Sequence, residues 1–407
     1  MKKLKKWRRP KRLGIKLAFV TPWYGPDIPG GSEAETRRTV HHLHEAGLDV
    51  EILTTCIKDF YGNWSSNYYP PGLSQVNGIS VRRFPVLPRN REAFDQINWR
   101  LMHKLPITAD QEQTFMNEMF RAPELYRFMQ QHAREYLFFF IPYMFASTYH
   151  GLQVCPERSI LIPCLHDEGY ARMELFKQLL PQARAMAFFV EAEMKVAERL
   201  YGSANGQIRQ VIGAGVDTDF VGDAARFQQK YQLDGSLLLY VGRREMGKNV
   251  PLLLQYWQRY QQQNGRSAHL ALIGPGQITP PPNSHVLDLG FVPMQDKYDA
   301  YAAADIFCMP SVNESFSIAT MESWLMETPV LVHGHCAVTH EHCLKSNGGL
   351  YFTNYDEFAA TVDYLLDHPQ TARQMGRNGR QYVLDNFQWP AVTAKYQQLI
   401  ETIMAEL

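Results

Sequence analysis

Short β-like runs alternate with longer helical ones along most of the 407 residues, and that beat limits the fold more than any other feature. Residues 16–20 read as a first strand, 33–46 as a helix stopped by Gly47, and 49–54 as a second strand. The pattern recurs at 136–141, 159–165, 185–190 and 207–212. It resumes at 237–241, 269–273, 286–289, 306–309 and 329–332. Strands separated by helices need crossover connections, so they form parallel sheets covered on both faces. The strands are too many for one comfortable sheet. We therefore expect an α/β chain of two doubly wound, Rossmann-like domains whose parallel sheets face a shared cleft. The expected division is a tail at 1–12, a first domain at 13–212, a second at 213–386 and a last helix at 387–407 that packs back toward the first domain. Residues 60–110 break the beat and are rich in Tyr, Trp, Pro and Asn, which reads as an irregular insertion.

Charge and composition narrow the function classes. Lysine plus arginine and aspartate plus glutamate balance at 41 each, so net charge gives nucleic-acid binding no support. The 6 cysteines have no framework spacing, which suits a reduced, cytoplasmic setting. The basic start is not followed by an apolar stretch, so no signal peptide is read. The most apolar run, 137–146, is shorter than the roughly 20 residues that span a bilayer. Residues 1–12 carry 8 basic side chains with Leu4 and Trp7. Such a tail can lie on the anionic inner face of a membrane, or it is a solvated end.

Ligands of doubly wound sheets bind at the carboxyl ends of strands, and the chemistry-bearing motifs fall there. Glu314 and Glu322 flank the junction of a strand-like run and a helix-like one, from Pro310 through Ser315-Phe316-Ser317-Ile318. A loop feeding a helix N-terminus offers unpaired N–H groups and the positive end of the helix dipole, a seat for phosphate. The run Gly242-Arg243-Arg244, with Lys248 beyond it, follows a buried strand. Arg243 suits a diphosphate as a planar fork and Lys248 as a point charge, although charged loops are also simply solvated. Gly30-Gly31 before a helix lets backbone approach a ligand, or makes an ordinary turn. His166 closes another buried strand, beside Asp167 and Glu168, which could orient its ring. Two patterns resemble metal sites. Asp217-Thr218-Asp219 reads instead as a turn and helix cap. His333, His335, Cys336, His340, His342 and Cys343 match no common zinc-finger spacing. No metal site is assigned.

Together these residues resemble glycosyltransferase family 4, retaining enzymes of the two-domain GT-B fold and similar to bacterial group 1 glycosyltransferases. The resemblance covers most of the chain and is strongest from Val211 to Asn386. It rests on the two glutamates eight positions apart with Pro310-Ser311 upstream. Tyr240-Val-Gly-Arg243, Leu272-Ile-Gly-Pro-Gly276, Leu289-Gly-Phe-Val-Pro293, Tyr301-Ala-Ala-Ala-Asp305 and Gly213-Ala-Gly-Val-Asp217 support it in order. Gly30-Gly31-Ser32-Glu33 also fits. The family's loop is commonly Gly-Phe-Gly, whereas this chain has Ser315-Phe316-Ser317.

The resemblance implies roles. Arg243 and Lys248 neutralise the diphosphate of a nucleoside-diphosphate sugar. Glu314 contacts the transferred sugar and Glu322 the ribose. Backbone around Gly242, Ser315, Phe316, Ser317 and Ile318 cradles sugar and phosphate, and Val292 sits against the base. Gly30 and Gly31 approach the diphosphate from the first, acceptor-side domain, and His166 reaches a sugar hydroxyl or the acceptor. The implied activity is transfer to a hydroxyl of a saccharide, lipid or small molecule with retained anomeric configuration, in polysaccharide or glycoconjugate synthesis. No cofactor or divalent metal is obligatory. A nucleotide-sugar-binding subunit without transfer activity is the alternative, motivated by the two serines. An epimerase or phosphorylase has no feature in its favour, and the glycine fingerprint of a nicotinamide dehydrogenase is missing after the first strand.

Overall fold

The computed structural model describes residues 14–202, 206–264, 266–282 and 285–407. The basic segment 1–12, expected to meet a membrane surface, lies outside them. The chain forms two compact units. One comprises the chain up to Gly215 together with Val392–Leu407, and the other comprises Val216–Ala391.

The first unit is built on β1 (Lys16–Val20), β2 (Val50–Thr55), β3 (Gly72–Val76), β4 (Ile79–Phe84), β5 (Tyr136–Phe140), β6 (Ser159–Leu161), β7 (Ala185–Phe188) and β8 (Ile208–Val211). Their order in the sheet is β3-β4-β2-β1-β5-β6-β7-β8. Every neighbouring pair is parallel except the β3–β4 edge. The centre is apolar on both faces: β5 reads Tyr-Leu-Phe-Phe-Phe and is buried throughout, as a strand between two helical layers must be.

Residues 60–110 are not the irregular insertion expected from composition. Asn77 and Gly78 take φ of 50° and 80° and turn β3 onto β4 as a hairpin. The helix Arg91–Met102 follows, with the Asn90 side chain accepting from the Ala93 N–H at its start. The aromatics of this stretch mostly pack against one another. Trp64 lies 5.5 Å from Trp23, 5.7 Å from Phe60 and 5.7 Å from Phe94. Tyr61 and Tyr68 stay exposed.

The second unit holds β9 (Ser236–Val241), β10 (Ala268–Ile273), β11 (Val286–Gly290), β12 (Ile306–Met309), β13 (Val330–His333) and β14 (Gly349–Phe352). Their order is β11-β10-β9-β12-β13-β14, and all pairs are parallel. The last strand has no counterpart in the sequence reading. The chain then returns to the first unit through the helix Trp389–Glu406. There Val392, Leu399, Ile400 and Ile403 are fully buried, and Lys395 donates to the Ile212 carbonyl at 3.0 Å.

Each sheet has a point among its parallel strands where the strand order reverses. The reversal falls between β1 and β5 in the first unit and between β9 and β12 in the second. At such a point the loops leaving the two strands diverge and open a crevice at their carboxyl ends.

Candidate active site

In the second unit, the loops that leave β9 and β12 meet at the reversal. Tyr240 donates to the Arg243 carbonyl at 2.7 Å, which curls the β9 loop back on itself. Gly242 leaves room for this, since a Cβ there would lie 2.8 Å from the Tyr240 hydroxyl. Burial foremost, and then the Glu314 charge, push the Tyr240 phenol up, so it remains neutral. Asn249 adopts φ of 57° and donates to the Pro310 carbonyl at 3.0 Å, fastening the β9 loop to the end of β12. That juxtaposition brings Lys248 and Glu314 together, Nζ to Oε1 at 2.7 Å, although 66 positions separate them in sequence. Glu314 is 9% exposed.

The three cations of the β9 loop divide. Arg243 lies on the surface, where it pairs with Glu245 at 3.1 Å. Arg244 is buried: it donates to the Gly274 carbonyl at 3.0 Å and to the Asp288 carboxylate, tying the β9 loop to the end of β10 and the middle of β11. Its guanidinium is thereby consumed by the fold.

The helix Ile318–Leu325 begins directly after Ser317, which takes φ of 69°. Its hydroxyl turns to Thr320 Oγ1 at 2.9 Å and does not cap the helix. The Thr320 N–H donates to the Ser317 carbonyl at 3.0 Å, so the first turn of the helix has a backbone acceptor there but no side-chain cap. Phe316 anchors the loop from behind, its ring 4.9 Å from Phe387 and 5.2 Å from His342. Burial lowers His342 to about 3, which keeps that ring neutral in the apolar cluster. Glu322, one turn into the helix, accepts from Lys297 Nζ at 2.7 Å, Tyr298 at 3.3 Å and Tyr301 at 3.1 Å. Val292 follows β11 and is nearly buried, beside an 86% exposed Phe291.

The remaining candidates belong to the first unit. Gly30 has φ of 138°, and a Cβ there would fall 1.9 Å from Glu33 Oε2. Gly30 thus makes space for a carboxylate of the following helix, which Trp23 Nε1 and the Ser32 hydroxyl hold at 2.8 and 2.9 Å. Gly31 opens the helix Gly31–Glu45 and has nothing within 4 Å of its Cβ position. His166 follows β6. Its Nδ1 lies 3.8 Å from Glu168 Oε1, which also accepts from the Tyr143 hydroxyl at 3.0 Å. Asp167 is turned away onto Arg172 and Arg199, at 2.6 Å each. Glu168 is thus the carboxylate beside the histidine.

Sequence reasoning missed two buried carboxylate arrangements. One is Lys297 against Glu322; a lysine directly before the buried run Tyr298–Tyr301 of the helix Met294–Ala303 was the available signal. The other is Glu193, 1% exposed, which accepts from the Leu165 and Phe189 N–H groups at 2.8 and 2.7 Å, beneath the His166 loop. Burial raises Glu193 to about 7 against those hydrogen bonds. Among the described residues no group of three His, Cys, Asp or Glu side chains could hold a metal ion. Asp217 serves as acceptor for Trp389 Nε1 at 2.8 Å.

Known proteins resemble this chain in sequence and in fold. Residues 222–382 match the family described as Glycosyl transferases group 1. D-inositol 3-phosphate glycosyltransferase 2 of Catenulispora acidiphila is 24% identical over 432 aligned positions, covering 97% of both chains. Among solved structures, sucrose-phosphate synthase from Thermosynechococcus elongatus superposes with a TM-score of 0.70 at 18% identity, over 97% of this chain and 100% of that one. The Anabaena protein HepE, in complex with UDP and glucose, gives 0.62 at 16% identity, over 96% and 99%. These similarities give the chain a GT-B fold of two Rossmann-like units. The protein is thus a glycosyltransferase.

Proposed function

We propose that this protein is a retaining transferase of glycosyltransferase family 4, moving a sugar from a nucleoside-diphosphate sugar to an acceptor hydroxyl in polysaccharide or glycoconjugate synthesis. The observation that carries the reading is the meeting of Lys248 with Glu314 at the strand reversal of the second unit. It lies beside a helix N-terminus whose first N–H groups lack a side-chain cap. When a diphosphate enters, Lys248 exchanges its carboxylate partner for the phosphate oxygens, and Glu314 is released to the sugar hydroxyls. Arg243 swings from Glu245 to the same diphosphate. Ser315 to Ile318 offer backbone N–H groups, Gly242 a close backbone approach, Glu322 a ribose contact and Val292 a wall for the base. Gly30, Gly31 and His166 serve sugar and acceptor.

The chemical demand is stabilisation of negative charge on the departing diphosphate, which fixed cations and helix N–H groups meet without reorganisation. On the same face of the sugar, the departing phosphate oxygen takes the acceptor proton as the new bond forms. No side chain becomes a covalent nucleophile and no divalent ion is required. The relatives' names, an inositol phosphate glycosyltransferase and a structure with UDP and glucose, favour this donor class. The acceptor is a saccharide, lipid or small molecule. No described helix is long and apolar enough to cross a membrane; the proposed setting is cytoplasmic, with residues 1–12 against an anionic membrane face.

The test is turnover across UDP-, GDP-, ADP- and dTDP-sugars with an acceptor panel, with and without chelator. Lys248→Ala and Glu314→Ala should each raise the barrier by about 2–4 kcal/mol, and chelator should leave the rate unchanged. Rates near wild type for both variants would defeat the assignment.

A further inference from the structure

Lys297 has no role in the reading above. It is the fourth residue of the helix Met294–Ala303, and its ammonium lies 2.7 Å from Glu322 Oε1. Tyr298 donates to that same oxygen at 3.3 Å, whereas Oε2 receives Tyr301 at 3.1 Å. A carboxylate oxygen accepts about two hydrogen bonds, so Oε1 is filled and Oε2 has one position left. The ammonium has three N–H donors, of which Glu322 takes one. The lysine nitrogen also lies 5.0 Å from the Tyr298 ring centroid, which fixes its direction. Both side chains keep an edge in solvent, 18% for Lys297 and 12% for Glu322.

Neutralising a nearly buried carboxylate needs only a cation. This arrangement also leaves a second acceptor position on Oε2 and further N–H donors on the ammonium, on two side chains that are each partly in solvent. A vicinal diol matches that pattern: one hydroxyl donates to Oε2 while its neighbour accepts from Nζ. We propose that Lys297 and Glu322 together read the cis-diol of the donor's ribose, with Lys297 as a specificity-determining residue. This rests on the reading that Glu322 faces the ribose. Removing either hydroxyl then leaves a donor or an acceptor of the pair without its partner, which is how a hydrogen-bonding site rejects a deoxy analogue.

The experiment is isothermal titration of the intact protein with UDP, 2′-deoxy-UDP and 3′-deoxy-UDP, and with the matching ADP and GDP series. Wild type, Lys297→Met and Lys297→Gln are compared. Wild type should bind the ribonucleotide about tenfold more tightly than either deoxy form, the size of one charge-assisted hydrogen bond. Lys297→Met should bring one of the two preferences to within about twofold, and Lys297→Gln, which retains a donor, should restore part of it. If Lys297 only neutralises Glu322, Lys297→Met weakens all three nucleotides by one common factor, and the proposal is overturned. Equal wild-type affinity for the three overturns it without any variant. Absence of binding by every ribonucleotide overturns the donor reading, and this inference with it. Binding with unchanged ribose preference in Lys297→Met overturns this inference alone.

Discussion

Arg243 keeps 45% of its side chain in solvent, while that of Arg244 is 9% exposed and bound to two neighbouring strands' residues, Gly274 and Asp288. Their order in sequence gives no hint of this difference, which predicts opposite phenotypes. Arg243→Ala should lower turnover by the cost of a lost charge-stabilising contact and leave the thermal midpoint near wild type. Arg244→Ala strands the Gly274 carbonyl and the Asp288 carboxylate, and should cost about 1–3 kcal/mol in chemical denaturation. Glu193 gives a prediction in pH. Burial raises it to about 7, so the folded protein holds a proton that the unfolded chain releases in the ordinary carboxylate range. The stability this contributes is complete below that range and is lost as pH rises through about 7. Between pH 5 and 8 wild type should therefore lose more stability than Glu193→Gln, by on the order of 2 kcal/mol. Any fixed offset from the amide cancels in that comparison. Parallel denaturation curves at the two pH values would contradict it.

At the scale of elements, the helix that carries Glu322 is positioned by glycines on another helix. On Pro369–Asn386, a Cβ at Gly379 would fall 2.2 Å from Trp324 Cδ1, and one at Gly376 would fall 1.7 Å from the Glu327 carbonyl. Gly379→Ala gains about 1 kcal/mol of helix propensity but overpacks a filled contact, at about 1–3 kcal/mol or more. The second effect should win, lowering the denaturation midpoint and weakening nucleotide binding as Ile318–Leu325 shifts. Most of the sheet was legible, because β1, β2, β5 and β9 are short apolar runs between helical periods. Ile318–Leu325 was legible as a helical run following a polar loop. The β3–β4 hairpin was missed because β3 is exposed and mostly polar, although Asn77-Gly78 between strand-like runs is a turn signal. The strand β14 is four residues long and begins with glycine, which gives little pattern to read. Motif residues at strand ends could be named from sequence. The Lys248–Glu314 and Lys297–Glu322 contacts could not, since each depends on which strands lie side by side.

At the scale of the molecule, the first unit is closed by residues from both ends of the chain, with the second unit inserted between them. Each unit has its own strand reversal: Gly30 and Gly31 follow β1, Arg243 and Lys248 follow β9 and Glu314 follows β12, whereas His166 and Val292 follow β6 and β11, farther along the sheets. Strand order alone would supply such a crevice in many proteins, and it says nothing of what enters. What distinguishes the second unit is a lysine and a glutamate from opposite sides of the reversal meeting beside a helix start without a side-chain cap. The most direct measurement is calorimetric titration of the intact protein with UDP, GDP and ADP, wild type beside Lys248→Ala. The account predicts that at least one nucleoside diphosphate binds and that Lys248→Ala weakens it by about tenfold or more. Silence from all three, or an affinity that Lys248→Ala leaves unchanged, would contradict it.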